Sequence, residues 1–119
     1  MHNELWRAKS SVKLCIAWMA WNRFAVVFDT LLKNNVEVSI IFDDNPSNKI
    51  SLVNDLPGAI SRFPVKNGNH LMHNKFCIID DSTLITGNYN WSGNAWNHFE
   101  NIVIAKNDFK LVRAFMHEF

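Results

Sequence analysis

The sequence predicts an α/β domain built on one mixed, mostly parallel sheet flanked by helices. Three observations predict it. Short apolar runs bounded by turn-forming residues read as strands, an amphipathic stretch of helical spacing separates the first two, and the chain closes on a second stretch of helical spacing. A strand, a helix and a strand within about 30 residues make a βαβ unit, which implies parallel neighbours and a right-handed crossover. The chain has 119 residues, the size of one domain with a single core, so residues 1–119 are read as one unit.

Residues 11–18 (SVKLCIAW) form the first expected strand, apolar at nearly every position after Lys13. Asn22 then offers an N-cap, and Phe24, Val27, Phe28, Leu31 and Leu32 recur at helical spacing until Asn34-Asn35, where asparagine can close the helix. Residues 36–42 (VEVSIIF) read as the second strand, followed by the polar loop Asp43-Asp44-Asn45-Pro46-Ser47-Asn48. A short helix is expected over 49–55, closed by Pro57-Gly58. Residues 59–65 (AISRFPV) form a third strand that Pro64 demotes towards an edge. Residues 72–80, 83–89 and 99–105 supply three more strands, and the tight Asp81-Ser82 link makes the first two of them an antiparallel hairpin. A last helix is expected from Asp108, with Phe109, Val112, Phe115 and Met116 facing inward.

Composition narrows the function classes. Hydrophobic residues are 48% and charged residues 19% of the chain, a globular balance that excludes disorder. No apolar run reaches the roughly 18 residues of a membrane span, so stable membrane insertion is not expected. Met1-His2-Asn3-Glu4 lacks the basic start and apolar stretch of a signal peptide. Cys15 and Cys77 each lie inside an expected core strand and read as buried reduced thiols, which points with the missing signal to a cytoplasmic protein. Net charge is +1, so nothing global advertises nucleic-acid binding, and any such function must rest on local chemistry.

That local chemistry lies between His73 and Glu100. His73, Lys75 and Asp80 stand in the pattern H-x-K-x4-D, Gly87, Asn88 and Asn90 follow, and Glu100 comes ten residues after Asn90. Residues two apart on a strand face the same side, so His73 and Lys75 project together while Phe76, Cys77, Ile78 and Ile79 bury the strand behind them. The hairpin brings Asn88 and Asn90 alongside. A nucleophile, a cation and two amides then converge where an anionic phosphate fits. Each residue alone has a plain reading: a satisfied polar His, a surface Lys, a turn Asp, turn-forming Asn residues, a bulge Gly, a solvated Glu. Their joint spacing is what makes the signal specific.

The segment MHNKFCIIDDSTLITGNYNWSGNA resembles the HKD motif of the phospholipase D superfamily, H-x-K-x4-D-x6-G-S-x-N. Trp91 after the last Asn and the Glu100-Asn101 pair on the next strand fit the same context, and the βαβ unit with its FDDNPSN loop is similar to small bacterial single-motif endonucleases. The resemblance implies a phospholipase D-like fold with one motif per chain and a metal-independent phosphodiesterase needing no cofactor. It implies that His73 attacks phosphorus to form a covalent phosphohistidine, that Lys75 and Asn90 hold non-bridging oxygens, and that Glu100 fixes the His73 tautomer. Asp80, the motif's third member, is expected to anchor the hairpin rather than touch substrate. Gly87 and Asn88 are expected beside the phosphate, with Lys66 and His70 on the rim guiding a nucleic-acid backbone. The sequence departs from the pattern at Asn88, where the family has Ser. That change is compatible with phosphate binding, with altered substrate choice, or with impaired activity.

A single motif also implies a partner. One His serves as nucleophile and another as general acid, and single-motif members supply the second from a second chain, so a C2 homodimer completing the site is expected. The aromatic residues around Trp91 and Trp96 and the early strand are candidate contact material. The spacings His70-x-x-His73 and His98-x-Glu100 suggest zinc, but residues three apart on a strand face opposite sides, and no metal site is expected. Three functions remain: a nuclease acting on DNA or RNA, a phospholipid hydrolase of the cardiolipin type, and a catalytically impaired dimeric nucleic-acid-binding module.

Overall fold

The computed structural model describes residues 2–16, 21–43, 59–65, 75–87 and 102–117. Its order is α1 (His2–Trp6), β1 (Ser11–Ile16), α2 (Trp21–Lys33), β2 (Glu37–Asp43), β3 (Ser61–Val65), β4 (Lys75–Ile79), β5 (Thr83–Gly87), β6 (Ile102–Lys106) and α3 (Phe109–Met116). The strands form one six-stranded sheet in the order β3-β2-β1-β4-β5-β6. The sheet is mixed, as expected, but three of its five described pairings are antiparallel, where a mostly parallel sheet was expected. Parallel pairing is confined to β1–β2 and β2–β3, and the pairings of β4 with β1, β5 with β4 and β6 with β5 are antiparallel. Pro64 lies on β3, an edge strand, where its missing N–H costs no ladder bond.

Helix α2 joins the parallel strands β1 and β2. Phe24, Val27, Phe28 and Leu31 repeat at the i, i+3, i+4, i+7 spacing of one helix face and are all buried against the sheet. Phe24 and Phe28 add a ring contact at 6.2 Å. The helix begins at Trp21, one residue before the expected cap Asn22. It ends where Asn35 takes a left-handed φ of 63°. Val36 N–H donates to the Leu31 carbonyl at 2.9 Å and Asn35 N–H to that of Leu32 at 3.1 Å, and Val36 packs in the same core as Leu31. This is the Schellman arrangement, built on Asn because its short polar side chain tolerates the left-handed region.

The sheet has two apolar faces. On one, Val12, Leu14, Ile16, Val38, Ile40, Phe42, Cys77, Ile79 and Ile85 pack with Leu5 of α1 and the inner face of α2. On the other, Cys15, Phe76, Ile78 and Leu84 pack against Val112 of α3, with Leu111, Phe115 and Met116 half-buried around it. Burying each large side chain contributes about 1.5–3 kcal/mol, so α2 and the middle of β1 and β4 dominate the stability. Phe109 does not face inward as its spacing suggested: it is 57% exposed on the outside of α3. At about 100° per residue Phe109 stays within about 60° of Val112 and about 20° of Met116, so its exposure goes with its place as the first residue of α3 and not with the opposite face. The expected helix over 49–55 lies outside the described residues. Helix α1 was not foreseen.

Both cysteines are reduced and buried. They lie on adjacent strands, but Cys15 belongs to the α3 face and Cys77 to the α2 face, so the sheet itself stands between them. Burial pushes the Cys77 thiol far up from its ordinary range. Among the described residues no helix is long and apolar enough to cross a membrane.

Candidate active site

Strand alternation and register define the two ends of the sheet. At one end lie the last residues of the parallel strands, Ile16, Asp43 and Val65, beside the first residue of β4, Lys75; the end of β5, Gly87, pairs there with the start of β6, Ile102. Ile16 is opposite Lys75 on one side and Phe42 on the other. Strand β1 therefore has its chain neighbour β2 on one flank and the later strand β4 on the other, a topological switch point. Open α/β sheets bind ligands in the crevice outside the carboxyl end of such a strand.

Lys75 is half-buried at that crevice. By alternation it shares a face with Cys77 and Ile79, and Phe76, Cys77, Ile78 and Ile79 behind it are all buried. The Thr86 hydroxyl of β5 donates to the Lys75 carbonyl at 3.5 Å. The ammonium is thus carried on a strand fixed from both faces. One residue at this end escaped sequence reading: Asp43, placed in the loop by its polar neighbours, is the last residue of β2 and only 6% exposed. Its signal was weak, because an acidic residue followed by Asp44, Asn45 and Pro46 reads as loop.

Asp80 sits at the other end. Five residues of strand at roughly 3.3 Å each separate it from Lys75, on the order of 17 Å. Asp80 and Asp81 have φ of 55° and 53°, and Ser82 N–H donates to the Ile79 carbonyl at 3.1 Å. Two successive left-handed residues are the condition for the mirror-image turn that matches strand twist. The Asp80 carboxylate accepts from the backbone amides of Lys9 (3.0 Å to both oxygens), Ser10 (2.7 Å) and Ser11 (3.1 Å), and from the Ser10 hydroxyl (3.0 Å). It thereby ties the hairpin turn to the chain entering β1. Partial burial pushes its carboxyl up, but these donors outweigh burial and hold it below the usual carboxylate range.

The structure thus brings Lys75 and Gly87 to one end and leaves Asp80 at the other. Lys66, His70, His73, Asn88, Asn90 and Glu100 lie outside the described residues. So do Trp91, Trp96 and His98. Among the described residues no cluster of His, Cys, Asp and Glu has the composition to hold a metal ion.

Comparison with known proteins places this arrangement. The family described as "Cardiolipin synthase, PLD-like domain" matches residues 1–119. Mitochondrial cardiolipin hydrolase of Mus musculus is 32% identical over 117 residues, covering 94% of this chain and 51% of its own length. The Xenopus laevis protein of the same name is 26% identical over 120 residues, covering 98% and 56%. The chain spans about half the length of these curated relatives. Among solved structures, NucT from Helicobacter pylori superimposes with a TM-score of 0.76 at 23% identity, covering 98% of this chain and 80% of its own. Nuc from Salmonella typhimurium, a phospholipase D family member, gives 0.77 at 21% identity, covering 98% and 79%.

Proposed function

The chain belongs to the phospholipase D-like family, and on that premise we propose that it is a metal-independent nuclease acting on DNA or RNA. The observation that carries the proposal is the gathering of Lys75, Gly87 and Ile102 at the switch-point end of one sheet. His73 precedes Lys75 by two residues, Asn88 and Asn90 follow Gly87 by one and three, and Glu100 precedes Ile102 by two. Even a fully extended chain keeps each of them within about 11 Å of its strand end. A nucleophile, a cation, two amides and a carboxylate therefore attach to three neighbouring strands at one edge.

In the proposed mechanism a His73 ring nitrogen attacks phosphorus, forming a P–N bond as the P–O bond to the leaving group breaks. The other ring nitrogen donates to Glu100, which holds the tautomer with its lone pair towards phosphorus. Lys75 and Asn90, with the Asn88 amide, hold the non-bridging oxygens as negative charge builds on them. The leaving oxygen takes a proton from the equivalent His73 of a second chain across a two-fold axis. Water activated by that same histidine then attacks phosphorus, the P–N bond breaks, and His73 is restored. Asp80 acts on the fold, not on substrate.

A second reading, hydrolysis of a cardiolipin-type phospholipid, is favoured by the name of the curated relatives. The same residues would perform it, so substrate choice separates the two. The test is cleavage of single-stranded DNA, double-stranded DNA, RNA and cardiolipin vesicles in EDTA by wild type and His73→Ala. The nuclease proposal expects nucleic-acid cleavage that the substitution abolishes. Turnover of cardiolipin alone would replace it with the lipid reading, and equal activity of His73→Ala would remove His73 from the nucleophile role. Sedimentation tests the shared site, since an active monomer contradicts it. A cytoplasmic site of action, consistent with two buried reduced thiols, belongs to the same proposal, and cell fractionation checks it.

A further inference from the structure

We propose that the outer face of α3 is a rail for the phosphate backbone of single-stranded nucleic acid, leading towards the catalytic end of the sheet. Lys110, Arg113 and His117 are all exposed. At 100° per residue they fall within roughly 60° of the helix circumference, and they advance about 10 Å along its axis. They form a line of cationic and hydrogen-bonding groups, not a scattered set. The opposite side of the helix carries buried Val112 and half-buried Leu111 and Phe115, which fix its orientation on the sheet, and half-buried Met116 lies at the border beside Phe109.

The direction of the line is set by the fold. β6 ends at Lys106, at the Asp80 end, where Lys106 is registered with Thr83. Helix α3 then returns across the sheet, and Phe115 packs edge-on against Phe76 with ring centroids 5.1 Å apart. Phe76 is the neighbour of Lys75. The C-terminal end of the line therefore lies at the end of the sheet that carries Lys75, on the face opposite to the one Lys75 shares with Cys77 and Ile79.

Four of the other described cations are held in ion pairs, and among the described residues the charges on this face are not. Arg7 and Lys106 share Glu4 at 3.9 and 3.1 Å, Lys13 is held by Asp81 at 2.8 Å, and Lys33 by Asp29 at 3.0 Å. Lys110 and Arg113 have no acidic partner among the described residues, and the nearby Asp108 carboxylate is engaged by Leu111 N–H at 3.1 Å. Phe109 adds an unusual exposure for a large aromatic side chain, 57%, one turn before Arg113 on the same strip. An exposed ring beside a line of cations is the combination that single-strand binders use to stack a base while holding its backbone. A membrane would need a broader apolar patch than one ring among cations offers.

The proposal rests on the nuclease reading, and its test separates the two. Full-length Lys110→Gln/Arg113→Gln and, separately, Phe109→Ala are compared with wild type on a 30-nucleotide single strand and on bis(p-nitrophenyl) phosphate. Binding of the strand is also titrated with salt. For the double variant the expected result is a loss of roughly tenfold or more in affinity. The slope of log K against log salt should fall by about 1.4, since each phosphate contact contributes about 0.7 for single strands. Phe109→Ala should weaken binding by roughly fivefold or more with the salt slope unchanged. Turnover of the small diester should stay as in wild type for both. Unchanged affinity and salt slope in the double variant would overturn the rail, as would cation-dependent binding to cardiolipin vesicles without binding to the strand. A wild type inactive on both diesters that still shows rail-dependent binding would overturn the nuclease reading and support the rail.

Discussion

The two ends of the sheet are built differently, though β4 runs through both. At the Asp80 end the strands are cross-linked: Asp80 holds three amides and a hydroxyl of residues 9–11, Lys13 binds Asp81, Glu37 N–H donates to the Ser10 carbonyl at 3.0 Å, and Asn107 N–H to that of Ser82 at 2.7 Å. At the Lys75 end the strands run out at the switch point, where the Thr86 hydroxyl donates to the Lys75 carbonyl. Fixing one end lets the other present a charge on a strand held in register, because a one-residue slip would exchange its two buried faces, sending Phe76 and Ile78 into the core of Cys77 and Ile79 and the reverse. The spacing in H-x-K-x4-D is therefore a strand length. Its four intervening residues are the buried body of β4, and its Lys and Asp serve opposite ends.

Substitutions can break that division, and the largest effect belongs to the open end. Lys75→Ala is expected to lower kcat for phosphodiester cleavage by about 10²–10³-fold, with an unfolding midpoint near wild type. Asp80→Ala is expected to do the reverse. It removes the acceptor of three amides and places a Cβ-bearing residue without a hydrogen-bonding side chain at a left-handed φ, costing about 2–3 kcal/mol in denaturant unfolding. Turnover by the protein that remains folded should change less than about threefold. A collapse of turnover with unchanged stability would place Asp80 in the chemistry instead.

A smaller effect follows from the Asp80 charge. Its folded carboxyl is held below the usual range, so its contribution to stability is complete above the unfolded value of about 3.9. That contribution is lost as pH falls through the folded value. Asp80→Asn, which tolerates the same backbone, should flatten the fall of stability below about pH 4 and leave activity near neutrality alone. An unchanged acid profile would show that the carboxylate is not what these amides depend on. The smallest effect is expected for Lys33→Ala, which removes an exposed pair with Asp29 and should cost about 0.5 kcal/mol or less.

Much of this architecture was legible in the chain because its signals are local. Apolar runs marked β1, β2 and β4, helical spacing marked α2, Asn34-Asn35 marked its end, and Pro64 put β3 on an edge. Features set by tertiary contact were not legible. Helix α1 is five residues with Leu5 as its buried anchor, too short for periodicity to register. Asp43 continues β2 into what reads as a loop, and Phe109 kept a helical spacing yet fell on the outside. Of the expected site residues, Lys75, Gly87 and Asp80 fall among those the structure describes. That Lys75 and Asp80 lie at opposite ends follows from where β4 begins and stops, which spacing alone left open.

In the proposed mechanism His73 forms a covalent bond to phosphorus. Rapid acid-free denaturation during turnover of an oligonucleotide labelled with ³²P at the scissile phosphate, followed by peptide mapping, reads that bond directly. Label on the peptide containing His73, absent in His73→Ala and present in Asp80→Asn, is the predicted result. Full turnover in EDTA by His73→Ala, with no label on the wild-type chain, would contradict it.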